Sequence, residues 1–246
     1  MLLAVLSDIH ANLEALDACL RHAEAAGARR YAFLGDLAGY GPDPEAVVAI
    51  VRRYVGEGAV AVLGNHDQAI KEARGYVNDQ AMEAIEWQRL RLSAGSKAFL
   101  EALPLCQRAG AVCFVHGSAA SPERWDYVDS PSEAARSAEA AQCAYTFSGH
   151  VHVQELYFGG ESGRMKLFRP VPGSAVPVPR HRRWLALVGS VGQPRDGNPA
   201  AAYALFDEAA AKLTFHRVPY DTRATAEKIR RSGLPPALAY RIEQGI

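Results

Sequence analysis

Short apolar runs separated by glycine and polar residues dominate the first 150 positions of the chain. Runs of this length and composition predict buried strands of a mostly parallel sheet. The five runs are Leu2–Leu6, Tyr31–Leu34, Val60–Leu63, Val112–Val115 and Tyr145–Phe147. Ligands of such a sheet bind beyond the carboxyl ends of its strands, so the residues that follow these runs are expected to converge.

Amphipathic segments between the runs predict helices. The leucines of Leu13–Ala26 share one face, with Asn12 as the expected N-cap and Gly27 as the end of the helix. Further helices are expected to begin at Asp43-Pro44, at Asn78, near Ser96 and at the capping box Ser130-Pro131-Ser132-Glu133. The alternation of strand and helix indicates an α/β architecture.

The pattern changes after His152, where short strands alternate with Gly, Pro and Asp. Strands are expected at Gln154–Phe158, Met165–Phe168, Trp184–Val188, Tyr203–Phe206 and Leu213–Val218. Turns are predicted at Glu161–Gly163 and Asp207–Ala211, and the proline-rich stretch Pro170–Pro179 is expected to be extended or looping. This strand-rich half is therefore predicted to form a second sheet packed on the first.

The end of the chain is predicted to be helical. Helical character runs from Asp221 to Gln244 and is interrupted at Gly233-Leu234-Pro235-Pro236. No composition shift or linker separates two parts of the sequence. We expect one domain over residues 1–246, with a helical C-terminal tail at 221–246.

Charge and composition narrow the range of partners. Lys plus Arg equals Asp plus Glu, at 27 each, so the basic surplus typical of duplex nucleic-acid binding proteins is missing. A nucleic-acid partner is thus not expected. No apolar run is long enough for a signal peptide or a membrane span, and the four cysteines form no Cys-x-x-Cys pair. A cytoplasmic protein with reduced thiols is predicted.

The residues after the strands have the chemistry of metal ligands. They are Asp8, His10, Asp36, Asn65, His66, His116, His150 and His152. A carboxylate can bridge two cations, and Asp36 is the candidate for that position. Mixed imidazole and oxygen ligands suit Mn²⁺, Fe, Ni or Zn²⁺, of which Mn²⁺ is favoured here, better than Mg²⁺ or Ca²⁺. If the strand geometry persists, Asp8 and His10 point the same way and reach one ion.

These motifs together resemble the calcineurin-like metallophosphoesterase family. The resemblance depends on Asp8-x-His10, Gly35-Asp36, Gly64-Asn65-His66-Asp67, His116 and Gly149-His150-x-His152. It implies a two-sheet sandwich flanked by helices, an α/β/β/α arrangement. It also implies two divalent metal ions, one bound by Asp8, His10, Asp36 and His152, the other by Asp36, Asn65, His116 and His150. His66 would be the acid near the leaving group, with Asp67 orienting it.

Other features bear on the substrate. The stretch Gly189–Gly197 resembles bacterial small phosphodiesterases of the family. Phosphoprotein and dinucleoside-polyphosphate phosphatases carry an Asp-Arg pair after their Gly-Asp, whereas Gly39-Tyr40-Gly41 stands here, and Leu63 occupies a position where arginine is frequent. A compact phosphodiester or phosphomonoester is the expected substrate.

Alternative interpretations remain at this point. A scaffold that binds metal without catalysis, a protein or dinucleoside-polyphosphate phosphatase, and a nuclease are the alternatives. Arg195 is a candidate for contact with substrate phosphate, with a solvated loop position slightly favoured. The basic cluster Arg180-His181-Arg182-Arg183 is expected to be a solvated loop. The oligomeric state is not predicted.

Overall fold

Twelve strands form two six-stranded mixed sheets in the computed structural model, which describes residues 1–72, 79–160 and 163–246. The strands are β1 Leu2–Leu6, β2 Arg30–Phe33, β3 Val60–Ala61, β4 Cys106–Ala109, β5 Val112–Val115, β6 Tyr145–Ser148, β7 Gln154–Gly159, β8 Met165–Phe168, β9 Ala175–Pro177, β10 Arg183–Val188, β11 Ala201–Asp207 and β12 Lys212–Val218. The helices are α1 Leu13–Ala25, α2 Pro44–Gly56, α3 Asn65–Lys71, α4 Asp79–Arg89, α5 Ala94–Glu101, α6 Pro131–Ala141, α7 Thr222–Ser232 and α8 Pro236–Gln244.

The first sheet combines strands from both ends of the chain. Its order is β3-β2-β1-β11-β12-β9. The pairs β1–β2 and β2–β3 are parallel, whereas β1–β11, β11–β12 and β12–β9 are antiparallel. The N-terminal strands therefore supply one half of this sheet, and the C-terminal strands supply the other half.

The second sheet has the order β4-β5-β6-β10-β7-β8. Strands β5, β6 and β10 run parallel, and the remaining pairs are antiparallel. The prediction that the strand-rich half forms a sheet of its own was wrong, as was the assignment of the five apolar runs to one sheet. Sheet membership is decided by long-range pairing, which short apolar runs do not encode.

The core explains why β1 is apolar on both faces. Leu3 and Val5 face the second sheet, in a cluster where the rings of Phe206 of β11 and Phe147 of β6 lie 5.3 Å apart. Ala4 and Leu6 face the other way, into a cluster with α1 and α2. Helix α6 covers the outer face of the second sheet. The predicted two-sheet sandwich flanked by helices is confirmed, with the layers in the order α/β/β/α.

The helix predictions succeeded where a cap was visible in the sequence. Asn12 accepts a hydrogen bond from Ala15 N–H, and Ser130 accepts one from Glu133 N–H. Helix α3 was not predicted, because Gly64–Asp67 was interpreted only as a ligand segment that follows the apolar run Val60–Leu63. The predicted helix start at Asn78 and the turn residues Glu161 and Ser162 lie outside the described residues.

The predicted helical tail is α7 and α8. It packs through Ile229, Leu238 and Ile242 against Tyr40 and against α4. Trp87 of α4 donates its indole N–H to Ser232 O at 2.8 Å. Among the residues described, no helix is both long and apolar enough to cross a bilayer.

Candidate metal centre

Every predicted site residue lies in a turn just beyond a strand or in the turn of helix that follows one. The backbone leaves the extended conformation there, with φ near +50° at Asp8, His10 and Asp36 and near +67° at His150 and His152. Left-handed backbone costs a non-glycine residue on the order of 1 kcal/mol. The argument that Asp8 and His10 meet through strand alternation was therefore wrong, since left-handed turns bring them together.

The first donor cluster consists of Asp8, His10 and His152. Asp8 Oδ1 lies 3.2 Å from His152 Nε2 and 3.9 Å from His10 Nε2, and the two Nε2 atoms are 3.2 Å apart. All three side chains are at most 2% exposed. Three potential metal ligands thus converge from β1 and from the loop after β6.

The second donor cluster consists of Asp36, His116 and His150, with Asn65 beside it. His116 Nε2 lies 3.1 Å from Asn65 Oδ1, 3.1 Å from His150 Nδ1 and 3.4 Å from Asp36 Oδ2. These residues follow strands of both sheets, so the cluster lies at the carboxyl ends of strands from the two sheets.

Asp36 lies between the two clusters. Its Oδ2 atom is 3.4 Å from His116 Nε2 in the second cluster and 3.7 Å from His10 Nε2 in the first. Its Oδ1 atom accepts the backbone N–H of His66 at 2.8 Å. This position is the one that a bridging carboxylate needs.

The hydrogen bonds of the imidazoles show that cations fit the clusters. His10 Nδ1 faces Ala38 O at 3.0 Å, and His152 Nδ1 faces Gln193 O at 2.6 Å. A carbonyl oxygen can only accept, so both Nδ1 atoms carry the proton. Burial lowers the pKa of both rings, which leaves them neutral. Their Nε2 lone pairs and the Asp8 carboxylate then face one another with no proton among them.

In the second cluster a backbone carbonyl likewise orients an imidazole. His116 Nδ1 donates to Leu34 O at 2.8 Å, which directs Nε2 toward Asn65, His150 and Asp36. The neighbouring carboxylates, Asp36 foremost, outweigh burial and raise the pKa of His116 to about 9. Reciprocally, histidine neighbours hold the pKa of Asp36 well below its usual range despite burial. A set of oxygen and imidazole acceptors around buried carboxylates matches a divalent metal ion.

Two glycines allow the ligand loops to approach this closely. A Cβ atom at Gly64 would lie 2.2 Å from Asp36 Oδ1, and one at Gly149 would lie 2.5 Å from Asp8 Oδ2. Any other residue at either position would displace a carboxylate. A steric constraint therefore explains the glycines of the Gly-Asn-His-Asp and Gly-His-x-His motifs, since a side chain at either position would overlap a carboxylate.

His66 and Asp67 begin α3 beside the second cluster. His66 Nε2 is 4.0 Å from Asp36 Oδ2, and burial lowers the pKa of this imidazole. Asp67 accepts the backbone N–H groups of Ala38 and Gly64, while burial and the Asp36 charge raise its pKa to about 7. Asp67 thus ties the Asp36 loop to α3, and its expected action on His66 stays a prediction.

Sequence analysis missed several residues around the clusters. The Tyr40 ring contacts His10 and His66 at centroid distances of 4.7 and 4.6 Å. Tyr127, half exposed, stacks on His150 at 4.1 Å. Arg241 of α8 lies over Tyr40. Tyr40 stands beside a recognised motif, whereas nothing in the local pattern singles out Tyr127 or Arg241.

All nine predicted site residues are brought together by the fold. They are Asp8, His10, Asp36, Asn65, His66, Asp67, His116, His150 and His152. Asn12 is the N-cap of α1, as predicted. The cluster Arg180–Arg183 is exposed, as expected for a solvated loop.

Comparison with known proteins agrees with this geometry. The chain is 33% identical over 252 residues to an uncharacterized protein of Methanocaldococcus jannaschii, covering 99% of this chain and 98% of that one. A solved metallophosphoesterase from Sphaerobacter thermophilus shares 35% identity and a TM-score of 0.87 over the whole of both chains. A hypothetical protein from Pyrococcus horikoshii, 19% identical, has the same fold with a TM-score of 0.78, covering all of this chain and 98% of that one. Residues 1–210 match the calcineurin-like phosphoesterase superfamily domain, and the chain belongs to that family.

Proposed function

We propose that this protein hydrolyses phosphate esters at a dinuclear metal centre. The observation that carries the proposal is the pair of buried clusters of imidazole, amide and carboxylate groups on either side of Asp36. Asp8, His10 and His152 would bind one ion, Asn65, His116 and His150 the other, and Asp36 both. When bound, two divalent ions supply Lewis-acid stabilisation of the phosphate and lower the pKa of water.

The chain's own residues would position the ligands and the proton. Carbonyl oxygens of Ala38, Leu34 and Gln193 fix the imidazole tautomers, as outer partners commonly do in metal sites. His66 faces Asp36 from the side of Tyr40 and is proposed to protonate the departing oxygen. Asp67 would keep this histidine in place through the backbone of the Asp36 loop.

The proposed substrate is a compact phosphodiester or phosphomonoester, with the diester favoured. No arginine follows Gly35-Asp36 at the position where protein and dinucleoside-polyphosphate phosphatases carry one. The balanced net charge disfavours a nuclease. A scaffold without activity is disfavoured because every ligand position is filled. We favour Mn²⁺ over Fe, Ni and Zn²⁺, and a cytoplasmic location stays a prediction.

The test combines metal analysis with an activity assay. Protein purified without chelator is analysed by inductively coupled plasma mass spectrometry, then assayed on bis(4-nitrophenyl) phosphate and 4-nitrophenyl phosphate with each metal added. We expect about two metal ions per chain and turnover that chelation abolishes. His181→Gln, an exposed histidine outside the centre, is the matched control and should behave as wild type. Metal binding without turnover of either ester would support the scaffold alternative instead.

A further inference from the structure

Two arginines lie beside the metal centre, on the side of Tyr40. Arg195 directs its Nη2 group to the Tyr40 hydroxyl at 3.4 Å, and its guanidinium carbon is 5.8 Å from the Tyr40 ring centre. Arg241 of α8 lies 5.7 Å from the same ring centre. Tyr40 also contacts His10 and His66. One aromatic ring therefore contacts both guanidinium groups and two of the site histidines.

Neither guanidinium is paired with an aspartate or a glutamate. Over residues 1–72, 79–160 and 163–246, no Asp or Glu side chain lies within ion-pair distance of Arg195 or Arg241, and Arg241 donates its Nε–H to Ile246 O at 2.9 Å. Other arginines in the same region are paired, Arg217 with Asp196 at 2.6 Å and Arg230 with Glu243 at 2.6 Å. Burial and the charge of Arg195 lower the pKa of Arg241, as expected for two cations held close together. Arg195 therefore keeps a positive charge without an acidic partner, and Arg241 adds a second guanidinium beside it.

Unused hydrogen-bond donors accompany this charge. Arg195 Nε and Gln193 Nε2 are buried and have no acceptor in the described part of the chain. The two side chains contact each other, since Arg195 Nη2 donates to Gln193 Oε1 at 3.1 Å. A buried donor without an acceptor costs about 1–3 kcal/mol, so such a pair indicates an acceptor that comes from outside the chain.

The fold holds both arginines in place. The backbone N–H of Arg195 donates to His152 O at 3.3 Å, which joins its loop to a candidate metal ligand. Two residues further on, Gly197 N–H donates to Gly245 O at the end of α8. Arg241 lies beyond residues 1–210, which match the family domain. The C-terminal helix thus adds a cation to a site whose other parts come from the family domain.

We infer that Arg195 and Arg241 bind a second phosphate group of the substrate, next to the ester that is hydrolysed at the metal centre. This inference rests on the proposed function for the position of the first phosphate. Two guanidinium groups without an aspartate or glutamate partner, together with the unpaired donors of Arg195 and Gln193, match the charge and the several oxygens of a phosphate, which arginine binds in bidentate geometry. The substrate class is then a phosphate ester that carries another phosphate, rather than a simple ester.

A pair of chromogenic diesters tests this directly. Thymidine 5′-(4-nitrophenyl phosphate) is compared with the same compound carrying a 3′-phosphate, using the metal-loaded protein. We expect the 3′-phosphate to raise kcat/KM about tenfold or more, as for a charged hydrogen-bonded contact. Arg195→Gln and Arg241→Gln should each remove most of that advantage, so that kcat/KM falls by a larger factor for the 3′-phosphate compound than for the simpler diester. Arg223→Gln, which removes an exposed charge from α7, is the matched control and should keep the advantage.

A binding experiment separates this inference from the proposed function. Thymidine 3′,5′-bisphosphate and thymidine 5′-monophosphate are titrated by calorimetry into chelator-treated protein. Tighter binding of the bisphosphate that both glutamine variants abolish supports the inference, even if the protein hydrolyses no ester. Equal binding of the two nucleotides, or a wild-type preference in both variants with unchanged melting temperatures, overturns it. An active enzyme that ignores the 3′-phosphate would overturn it while leaving the proposed function intact.

Discussion

The metal centre and the C-terminal hairpin of α7 and α8 contrast in the interactions that form them. The centre consists of buried carboxylates and imidazoles on left-handed backbone, with acceptor atoms facing one another at 3.1–3.4 Å. The hairpin consists of helical turns whose apolar residues pack against Tyr40 and α4. The contacts of the hairpin stabilise the fold. The close acceptor atoms of the centre destabilise the metal-free fold, and a bound cation would offset that effect.

This difference predicts that substitutions in the two regions separate activity from stability. Changes at the centre should remove turnover or metal and leave the unliganded fold as stable as before, or more so. Changes in the hairpin should lower stability and leave metal content unaltered. Arg241 is the exception, because it lies on the hairpin and acts at the centre.

The largest expected effect is that of Asp36→Asn. Asparagine preserves size and an acceptor for His66 N–H but removes the charge shared by both clusters. We expect kcat/KM to fall by about a thousandfold or more, equivalent to about 4 kcal/mol, and bound metal to fall below two ions per chain. Steady-state kinetics and elemental analysis measure both. Wild-type activity with two ions bound would contradict the bridging position of Asp36.

The next effect is on stability alone. Leu238 is fully buried in the hairpin cluster, and Leu238→Ala should lower the free energy of unfolding by about 3 kcal/mol. Chemical denaturation measures this change. Metal content and the turnover of bis(4-nitrophenyl) phosphate below the melting transition should stay as in the wild type. A parallel loss of metal would show that the two regions are not independent.

His66→Ala should slow turnover without releasing metal. A general acid contributes at least about a hundredfold, and its loss should be felt most with an alkyl leaving group, which needs a proton, and least with 4-nitrophenolate. Rates on a methyl and a 4-nitrophenyl diester measure the difference. If the variant instead loses an ion, His66 is a ligand and the acid must be sought elsewhere.

The smallest effect concerns the pH dependence of the chelator-treated protein. Burial and His116 lower the pKa of His150 from 6.5 to about 3, so the unfolded chain takes up a proton there before the folded one does. The stability from this group is complete above pH 6.5 and is lost as the pH falls toward 3, by at most about 1.4 kcal/mol per unit. His150→Gln should make the free energy of unfolding depend less on pH below pH 7, as measured by urea denaturation from pH 7 to 5.

Leu238→Ala is the control for this pH dependence. It should lower the free energy of unfolding by the same amount at every pH. Identical slopes against pH for wild type and His150→Gln would refute the pKa shift.

Much of the fold and the centre was predictable because its signals are local. The cap residues Asn12 and Ser130 stand directly before their helices, and a side chain bonding three residues ahead needs no distant partner. The candidate ligands stand directly after short apolar runs, so their positions can be recognised in the sequence. Helix α3 was not predicted because its first residues, Asn65, His66 and Asp67, have weak helical propensity and lie at the metal centre.

The geometry that joins Asp8 to His10 could not be predicted in the same way. An alternating strand was the simplest assumption, yet hydrogen bonds from His10 N–H to Asp36 O and from Asp8 N–H to Gly35 O impose left-handed turns. These bonds connect residues that are more than 25 positions apart. Local preference disfavours the conformation, and the neighbouring loop enforces it.

The amino-acid sequence by itself determined which side chains follow the strands, and so the chemistry of the centre and the family to which the chain belongs. Tertiary structure alone decided which strands share a sheet, which imidazole lies beside which carboxylate, and that Arg195 and Arg241 both lie beside Tyr40. The reason is physical. Strand and cap signals arise between neighbours along the chain. Sheet pairing and charge clusters depend on contacts between distant residues, which produce no local pattern in the sequence.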